Sequence, residues 1–427
     1  MIIGSLYFGL YPAVWCTGIY VLRGSHIPLI ISAPALWVSL DYLKAHAGFL
    51  ALPWATLAQS QHNNLPILQI TTLTGEYGVT FLIVMGSVAI AEVITNKAYK
   101  IAVASFLLIA FAHIWGFHEL SKPHEGSSLR VAAVQPSILL GERKTPDGQL
   151  NALERLEKLT LAASESRPAL IAWPETSVQG VKDNRALIDR LKTIAQTAQT
   201  PLIIGSSEVT KFTRSVGGDN LTSKIDSYQY NSAYFIPPDE PIPAPYQKRL
   251  LVPFGEYLPS ESFIKWPVWF ISKAYKSLPG DQYKYFRLKN GSQISPIICW
   301  ENLFDDFVRP IVKDGAQVLV QLTNDNWFQR TAAPYQHNLA SVLRAVENRV
   351  PIVIASNTGP SQIIDKFGHV NASIPGLFVT GIASADVTLG NDGTFYTHFG
   401  NIFMFIAITI SLVSITLGLF VRMRGVK

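Results

Sequence analysis

Residues 297–302 of this chain read I-I-C-W-E-N, so a thiol, that of Cys299, directly follows a short apolar run. Two other segments of the same polar region place a charged residue after such a run. W-P-E-T-S (173–177) contains Glu175, and Y-Q-K-R-L-L-V-P-F-G-E-Y (246–257) contains Lys248. Short apolar runs bounded by turn residues are typical of strands. The sequence therefore predicts a carboxylate, an ammonium group and a thiol at the ends of strands.

These three groups are the ones needed for amide or ester chemistry through a thioester. A thiol attacks an acyl carbon well only as the thiolate, so it needs a base, and Glu175 is the candidate. The tetrahedral intermediate carries an oxyanion, which a fixed cation such as Lys248 can stabilise. Because Glu175 lies between an apolar strand and an aromatic residue, we expect its carboxyl group to have a raised pKa, suited to proton transfer near neutrality.

Each of the three residues also has a purely structural interpretation. A cysteine after an apolar run is often a small buried hydrophobic residue. Glu175 fits the N-terminus of a helix, where the helix dipole favours a carboxylate. Lys248 and Arg249 together could form a solvated surface patch, but the segment that follows, 250–255, is too apolar for one. The presence of all three segments in one chain favours a catalytic site.

The chain order Glu175, Lys248, Cys299 resembles the catalytic set of the carbon-nitrogen hydrolase (nitrilase) superfamily. Five longer segments are more specific, because they are similar to the apolipoprotein N-acyltransferase branch of that superfamily. They are G-F-L-A-L-P-W (48–54), Q-S-Q (59–61), K-R-L-L-V-P-F-G-E-Y (248–257), T-N-D-N-W-F (323–328) and R-A-V-E-N-R (344–349). The resemblance extends over roughly residues 30–425.

The resemblance implies an α/β fold, namely a four-layer αββα nitrilase-like sandwich joined to N-terminal transmembrane helices and one C-terminal transmembrane helix. It implies that Glu175 is the base, Lys248 the oxyanion stabiliser and Cys299 the nucleophile. The acyl donor would be a membrane phospholipid. The acceptor would be an amine, such as the N-terminus of a lipoprotein.

Three further residues join this expected site. Glu256 matches a second glutamate that the acyltransferase branch uses, and it can also hold Lys248 in a salt bridge. Trp300 and Glu301 complete a cysteine-aromatic-glutamate triplet. Since the branch usually has a tyrosine after the cysteine, Trp300 lacks one hydroxyl group. The loop 324–327, which contains Asp325, is expected to shape the site beside Cys299.

The composition points to a membrane protein. With 48% hydrophobic and only 15% charged residues among 427, the chain is too apolar for an ordinary soluble protein of this size. Residues 1–22 carry no charge over a length that can cross a bilayer. Further spans are predicted at about the positions 27–43, 77–94, 100–118 and 401–421.

The basic residues of the short loops predict the orientation of these spans, because Lys and Arg favour the cytoplasmic side. All of them lie on one side if the N-terminus is outside; they are Arg23, Lys97, Lys100, Arg422, Arg424 and Lys427. We therefore expect a multi-pass protein of the bacterial inner membrane. Its parts would be a membrane domain (1–121), a periplasmic carbon-nitrogen hydrolase domain (122–398), and a C-terminal transmembrane helix with a basic tail (399–427).

The polar region alternates strands with helices, which predicts a layered α/β domain. Strands are expected at 129–135, 169–173 and 202–206, and helices at 149–166 and 184–196. The first of these helices is expected to be amphipathic. Its predicted apolar face consists of Leu150, Leu153, Leu156 and Leu161.

An apolar segment, 263–271, follows the Lys248 segment and contains Trp266 and Trp269. In a soluble enzyme it would be core. Because tryptophan prefers the membrane interface, we interpret it as an arm that dips into the bilayer beside the mouth of the site.

Several other classes of function are disfavoured. The net charge of +5 comes from scattered Lys and Arg without interleaved aromatic residues, so we expect no nucleic acid. The histidines show no metal-ligand spacing and no Gly-rich phosphate loop follows a strand, so we expect no metal, nucleotide or other cofactor. Cys16 lies in an apolar segment far from the site, so a structural disulfide with Cys299 is not expected.

Two departures from the branch leave alternatives open. The membrane part is shorter than in that branch, and the stretch V-Q-P-S (134–137) lacks a tryptophan that the branch has shortly after it. A shortened layout is similar to the plasmid conjugal-transfer proteins called TraB of rhizobia and Agrobacterium, for which the partner would be the conjugation machinery. A third interpretation is a periplasmic amidase that acts on a small substrate with water as acceptor.

Overall fold

The computed structural model describes residues 2–123, 126–216, 222–261, 263–267, 276–390 and 393–425. The α-helices of this part are α1 (Ile2–Leu22), α2 (Leu29–Ala45), α3 (Leu65–Leu68), α4 (Thr71–Thr74), α5 (Glu76–Asn96), α6 (Tyr99–Ser121), α7 (Pro146–Ser164), α8 (Arg185–Thr197), α9 (Asp305–Lys313), α10 (Ala333–Asn348), α11 (Phe395–Phe399) and α12 (Ile402–Gly425). Short 3-10 helices include Gly48–Leu50, Glu142–Lys144, Cys299–Leu303 and Asp325–Phe328.

The strands of the described residues form two sheets. They are β1 (Ser128–Gln135), β2 (Leu170–Ala172), β3 (Val178–Gln179), β4 (Leu202–Val216), β5 (Thr222–Ile236), β6 (Tyr246–Gln247), β7 (Phe286–Arg287), β8 (Gln293–Ile298), β9 (Val318–Thr323), β10 (Ile352–Ser356), β11 (Gln362–Ile364), β12 (Val370–Ser373) and β13 (Gly381–Thr388). One sheet has the order β13-β1-β2-β4-β5-β6, with β3 beside β4, and the other has the order β12-β11-β10-β9-β8-β7.

The centre of each sheet is parallel, and antiparallel strands flank it. β1, β2 and β4 run parallel in the first sheet, as do β8, β9 and β10 in the second. Parallel strands bury both faces, which explains their nearly continuous apolar sequences. Their carboxyl ends lie at one edge of each sheet, and the predicted Glu175 and Cys299 segments both begin there.

Helices cover the outer face of each sheet, so the predicted four-layer αββα sandwich is confirmed. The inner faces of the two sheets share one core, to which Val131 and Ala172 contribute from the first sheet and Ile298 and Val320 from the second. The outer face of the first sheet packs against α7 and α8. The outer face of the second sheet packs against α9 and α10.

The predicted strands and helices of the polar region are present, with a shift in one buried face. The structure places Leu150 of α7 at the surface, with 48% of its area exposed. The buried positions of α7 are instead Ala152, Leu156, Thr160 and Ala163. This stripe includes a threonine whose hydroxyl accepts a hydrogen bond from the Trp173 indole at 2.8 Å, so a count of leucines alone misplaced the face.

Four helices of the described chain are long and apolar enough to cross a membrane: Gly4–Leu22, Glu76–Asn96, Tyr99–Leu120 and Ile402–Arg424. They correspond to four of the five predicted spans. The remaining prediction, 27–43, falls on α2, which has 17 residues and contains Asp41 and Lys44. α2 packs between α1, α5 and α12, and it is shorter than the other four helices.

A buried ion cluster joins the membrane helices to the sandwich. Arg344 of α10 donates a hydrogen bond to Glu76, the first residue of α5, at 2.8 Å, and another to Glu347 at 3.1 Å. Glu347 in turn accepts from the backbone N–H of Glu76 at 2.9 Å. These contacts fix the second sheet, and with it the Cys299 strand, against the membrane part of the protein.

Candidate active site

Cys299 follows β8 directly and begins the 3-10 helix Cys299–Leu303. Its backbone has φ 54°, a left-handed conformation that costs energy in a residue with a side chain. The turn is held by Glu301, whose Oε2 accepts the backbone N–H of Ile298 at 2.7 Å. The side chain of Cys299 is half-buried and packs against both the inner core and the aromatic cluster around Trp300.

Glu175 lies just beyond β2, at the matching edge of the other sheet. Asn231 of β5 donates a hydrogen bond to its Oε1 at 2.6 Å. Gly205 of β4 passes so closely that a Cβ atom there would lie 2.6 Å from the Glu175 Cα. Arg143 secures the far side of this turn by donating to the carbonyl oxygen of Thr176 at 2.6 Å.

Lys248 lies after β6, and its side chain is only 1% exposed. Its Nζ lies 3.8 Å from Glu175 Oε1 and 2.9 Å from Glu256 Oε1. The other oxygen of Glu256 accepts the backbone N–H of Val252 at 2.7 Å. The structure therefore brings Glu175, Lys248 and Glu256 together, and Glu256 has the salt-bridge geometry expected for it.

The burial of these groups sets their protonation. Burial raises the pKa of Glu175 to about 7, against the opposing effect of Lys248. Burial also opposes the charge on Lys248, but Glu256, Cys299 and Glu175 raise its pKa above the usual value, so the ammonium group stays charged. Burial and Glu175 raise the pKa of Cys299 well above its ordinary range. The thiol is thus neutral at rest, and the carboxyl group of Glu175 has a pKa suited to proton transfer near neutrality.

Glu301 connects the Lys248 segment to the Cys299 turn. Its Oε1 accepts the backbone N–H groups of Arg249 at 2.7 Å and Leu250 at 3.1 Å. The Tyr246 hydroxyl donates to both of its oxygens at 2.8 Å. This carboxylate is fully buried. Its position indicates that it aligns the two segments, a role that spacing alone did not reveal.

Trp300, which departs from the expected tyrosine, forms part of the wall of the site. Its indole N–H donates to the carbonyl oxygen of Leu250 at 2.6 Å, and its ring meets that of Phe304 edge to face. Its neighbours include Leu52 and Trp54 from the segment that precedes α3. The polar group of this side chain is therefore directed to the backbone.

One buried residue of the site, His337, was not identified from the sequence. His337 of α10 lies 3.0 Å from Asp325, and its ring stacks on that of Trp54 with the centroids 5.4 Å apart. Nothing in its local sequence distinguished this histidine from the other dispersed histidines. Its place in the helix that ends with R-A-V-E-N-R was the signal available. In the loop 324–327, Asp325 is buried, whereas Trp327 is 66% exposed.

The structure describes residues 263–267 of the predicted arm. Trp266 is half-buried, and its indole donates to the carbonyl oxygen of Pro259 at 2.8 Å. Its ring meets that of Phe254 edge to face, with the centroids 5.0 Å apart. Phe263 is 91% exposed. Trp269 lies outside the described residues.

Comparison with known proteins gives the family. A model of the carbon-nitrogen hydrolase family matches residues 130–393, and a model of the apolipoprotein N-acyltransferase N-terminal domain matches residues 1–89. The chain is 34% identical over 415 residues to an apolipoprotein N-acyltransferase of Geobacter metallireducens, a match that covers 93% of this chain and 75% of that protein.

One further relative and one solved structure are similar to this chain. An apolipoprotein N-acyltransferase of Agrobacterium fabrum is 32% identical over 365 residues, which cover 82% of this chain and 64% of that protein. Among solved structures, an amidase from Nesterenkonia sp. shares 20% identity over 64% of this chain and 94% of its own, with a TM-score of 0.44. The conjugal-transfer interpretation gains no support from these relatives.

The matched models together include both the membrane helices at the N-terminus and the sandwich that holds Glu175, Lys248 and Cys299. The first of these relatives aligns over most of its own length. This chain therefore belongs to the carbon-nitrogen hydrolase family, in its apolipoprotein N-acyltransferase branch, and is a membrane-bound acyltransferase.

Proposed function

We propose that the acyl group is carried on Cys299 and that Glu175, Lys248 and Cys299 form the catalytic set. The observation that carries this proposal is the position of Lys248, whose buried Nζ lies within 3.8 Å of Glu175 and is fixed at 2.9 Å by Glu256. In the first step Glu175 takes the Cys299 proton, and the sulfur attacks the ester carbonyl of the donor. Lys248 stabilises the oxyanion that forms.

Collapse of this intermediate breaks the ester carbon–oxygen bond. Glu175 returns its proton to the departing alkoxide, so a thioester and an alcohol are formed. An incoming amine then attacks the thioester carbon and loses a proton to Glu175. Breaking the carbon–sulfur bond releases an amide, and the thiolate regains the proton, which restores the resting site.

We further propose that the donor is a membrane phospholipid and the acceptor the amine of a lipoprotein N-terminus. Phe254, two residues before Glu256, touches both Trp266 and Phe49 through ring contacts of 5.0 and 6.3 Å. Phe49 lies in the loop between the membrane helices α2 and α5. An aromatic path thus leads from the membrane segment toward the Lys248 loop, as a long acyl chain would require.

The sandwich, residues 122–398, is proposed to face the periplasm of a bacterial inner membrane, with residues 1–121 and 399–427 as its membrane parts. The Arg422 guanidinium lies 3.6 Å from the centroid of the Tyr20 ring, so α1 and α12 end side by side. Arg23 and Asn96 line one cavity, which places the C-terminal end of α5, next to Lys97, at this end. Glu76, at the opposite end of α5, contacts the sandwich. The basic loops therefore cluster away from the catalytic domain, as the cytoplasmic side requires.

The test is to trap the acyl-enzyme. Purified protein in micelles is mixed with a phospholipid of defined acyl chains, without acceptor, and the peptide containing Cys299 is examined by mass spectrometry. We expect that peptide to gain the mass of one acyl chain and to lose it when a diacylglyceryl peptide is added. Loss of the acyl group to water instead, with no amide formed, would indicate an amidase or esterase. Absence of the adduct would contradict a Cys299 thioester.

A further inference from the structure

His337 is fully buried beside the Cys299 turn, and both of its ring nitrogens face hydrogen-bond acceptors. Nδ1 lies 3.0 Å from Oδ1 of Asp325, and Nε2 lies 3.0 Å from Oδ1 of Asn302. The side chains of His337 and Asp325 are only 1% and 2% exposed. These contacts therefore set the protonation of the ring.

The orientation of the Asn302 amide is fixed by its other hydrogen bonds. Its Nδ2 donates to the carbonyl oxygen of His337 at 2.9 Å and to the Ser341 hydroxyl at 2.8 Å. Reversing the amide would place two oxygens in contact, so Oδ1 must face the ring. An imidazole that donates at one nitrogen to an amide oxygen and at the other to a carboxylate must be protonated at both. His337 is thus an imidazolium paired with Asp325.

This ion pair is connected to the Cys299 turn by hydrogen bonds, and its charges act on the Cys299 thiol. Asn302 belongs to the 3-10 helix that begins at Cys299. Ser341 also donates to Gln321, which reaches the carbonyl oxygen of Cys299 at 3.5 Å. The loop that contains Asp325 and the helix that contains His337 therefore pack against the Cys299 turn and hold it in place.

The carboxylates around Cys299 disfavour its thiolate, and a cation beside them offsets this effect. Besides burial, the carboxylates of Glu175, Asp325 and Glu256 raise the pKa of Cys299, whereas the Lys248 ammonium group lowers it. Burial lowers the pKa of His337, but the Asp325 carboxylate raises it, and Glu175 adds to this effect. The ring is therefore kept charged. A positive His337 offsets Asp325, so that Lys248 remains free to act on the thiolate and the oxyanion.

We propose that His337 is a positioning residue whose buried ion pair with Asp325 balances the charge behind Cys299 and lets its thiolate form. The inference rests on the proposed role of Cys299 as the nucleophile. It also assigns a role to Trp54, which comes from the loop between membrane helices and lays its ring against the imidazolium at an interplanar angle of 24°. An aromatic face attracts a cation and so favours the charged ring.

The experiment measures the rate at which iodoacetamide alkylates Cys299 as a function of pH. A C16S background leaves Cys299 as the only thiol, because the chain has two cysteines. H337Q removes the cation and leaves Asp325, so we expect the midpoint of its pH profile to rise by about one unit, which slows alkylation about tenfold near neutrality. D325N removes the negative charge alone, and the double variant D325N/H337Q removes both charges. Neither leaves an unbalanced carboxylate, so their midpoints should lie at or below that of the parent.

The pattern across the variants separates charge from structure. If the pair acted only by holding the turn, D325N would break the same bond as H337Q and raise the midpoint equally; that result would overturn the inference. H369Q, which removes a half-exposed histidine paired with Asp365 outside the site, should leave the profile unchanged. Thermal melting checks that each variant is folded, and D325N alone decides the matter if H337Q does not fold. Failure of the parent protein to form an acyl adduct on Cys299 would instead refute the proposed function.

Discussion

The carboxylate of Glu301 accepts the backbone N–H of Arg249 at 2.7 Å, and this contact joins the segment of Lys248 to the turn of Cys299. The two segments are separated by about fifty residues, and each comes from a different sheet. Glu301 thus aligns the ammonium group with the thiol. It does so by satisfying backbone donors that would otherwise be buried without a partner.

Replacing Glu301 with glutamine should therefore damage both catalysis and stability. One oxygen becomes an amide that cannot accept from Ile298, or else from Arg249 and Leu250, so a buried donor loses its partner at a cost of about 1–3 kcal/mol. We expect acyl-enzyme formation to slow by about tenfold or more, with a lower melting temperature. E165Q, at an exposed glutamate, is the control. Wild-type rates in E301Q would show that the alignment does not depend on this carboxylate.

The pH dependence of acylation should report on Glu175. Burial raises its pKa to about 7, and the carboxylate form is the proposed base, so protonation on the acid side should remove activity. With a short water-soluble ester in single-turnover measurements, the rate should rise between about pH 6 and pH 8 and reach half of its maximum near 7. The variant E175Q should lose this limb together with most of the rate. A rate that is flat across this range would mean that another group accepts the proton.

Much of this site was accessible from the sequence because its residues follow apolar strands. Glu175, Lys248 and Cys299 come directly after such runs, and strand ends at one edge of two stacked sheets are brought together by the fold. The contact between Lys248 and Glu256 was likewise within reach, since eight residues of one loop separate them. Local patterns, together with the family resemblance, thus predicted that these residues lie in one site.

The remaining contacts could not be inferred because they join distant segments through single atoms. His337 looks like any histidine on a helix until Asp325 and Asn302 are placed beside its two nitrogens. The pairing of Glu76 with Arg344 spans 268 residues. The burial of α2 likewise depends on its neighbours, since its own composition resembles that of a spanning helix. Such features follow from the packing of the whole chain.

Gly205 should be essential for the position of Glu175. A Cβ atom at this position would lie 2.4 Å from the Pro174 carbonyl oxygen and 2.6 Å from the Glu175 Cα, and both are backbone atoms that cannot rotate away. G205A should therefore displace the base by a fraction of an ångström or more and slow acyl-enzyme formation by about a hundredfold. Single-turnover rates with the short ester measure this effect.

The matched control for G205A is G9A, since no atom lies within 4 Å of a Cβ built at Gly9. It should retain the rate of the parent protein. An unimpaired G205A would mean that the strands separate at little cost, and it would weaken the argument that Glu175 needs its present position.

Arg344 should be required for stability at the junction between the sandwich and the membrane helices. R344A leaves Glu76 and Glu347 buried side by side without their cation, and removing one partner of a buried ion pair typically costs about 3–5 kcal/mol. We expect a large drop in the melting temperature of the protein in micelles. R130A, which breaks an exposed pair with Asp386, is the control and should melt close to the parent. Equal melting of the two variants would show that the buried cluster adds nothing.

The last prediction concerns the arm and the origin of the acyl donor. Trp266 contacts Phe254, which lies in the loop between Lys248 and Glu256, so its ring borders the path proposed for the acyl chain. Replacing Trp266 and Trp269 together with serine should slow acylation of Cys299 from phospholipid by about tenfold or more, because this apolar contact with the chain is lost. The same variant should react normally with a short water-soluble ester, since Glu175, Lys248 and Cys299 are unchanged. The ratio of the two rates is the measurement, and it corrects for any general loss of active protein. A parallel fall of both rates would identify the segment as part of the core, and the lipid donor would then rest on the family alone.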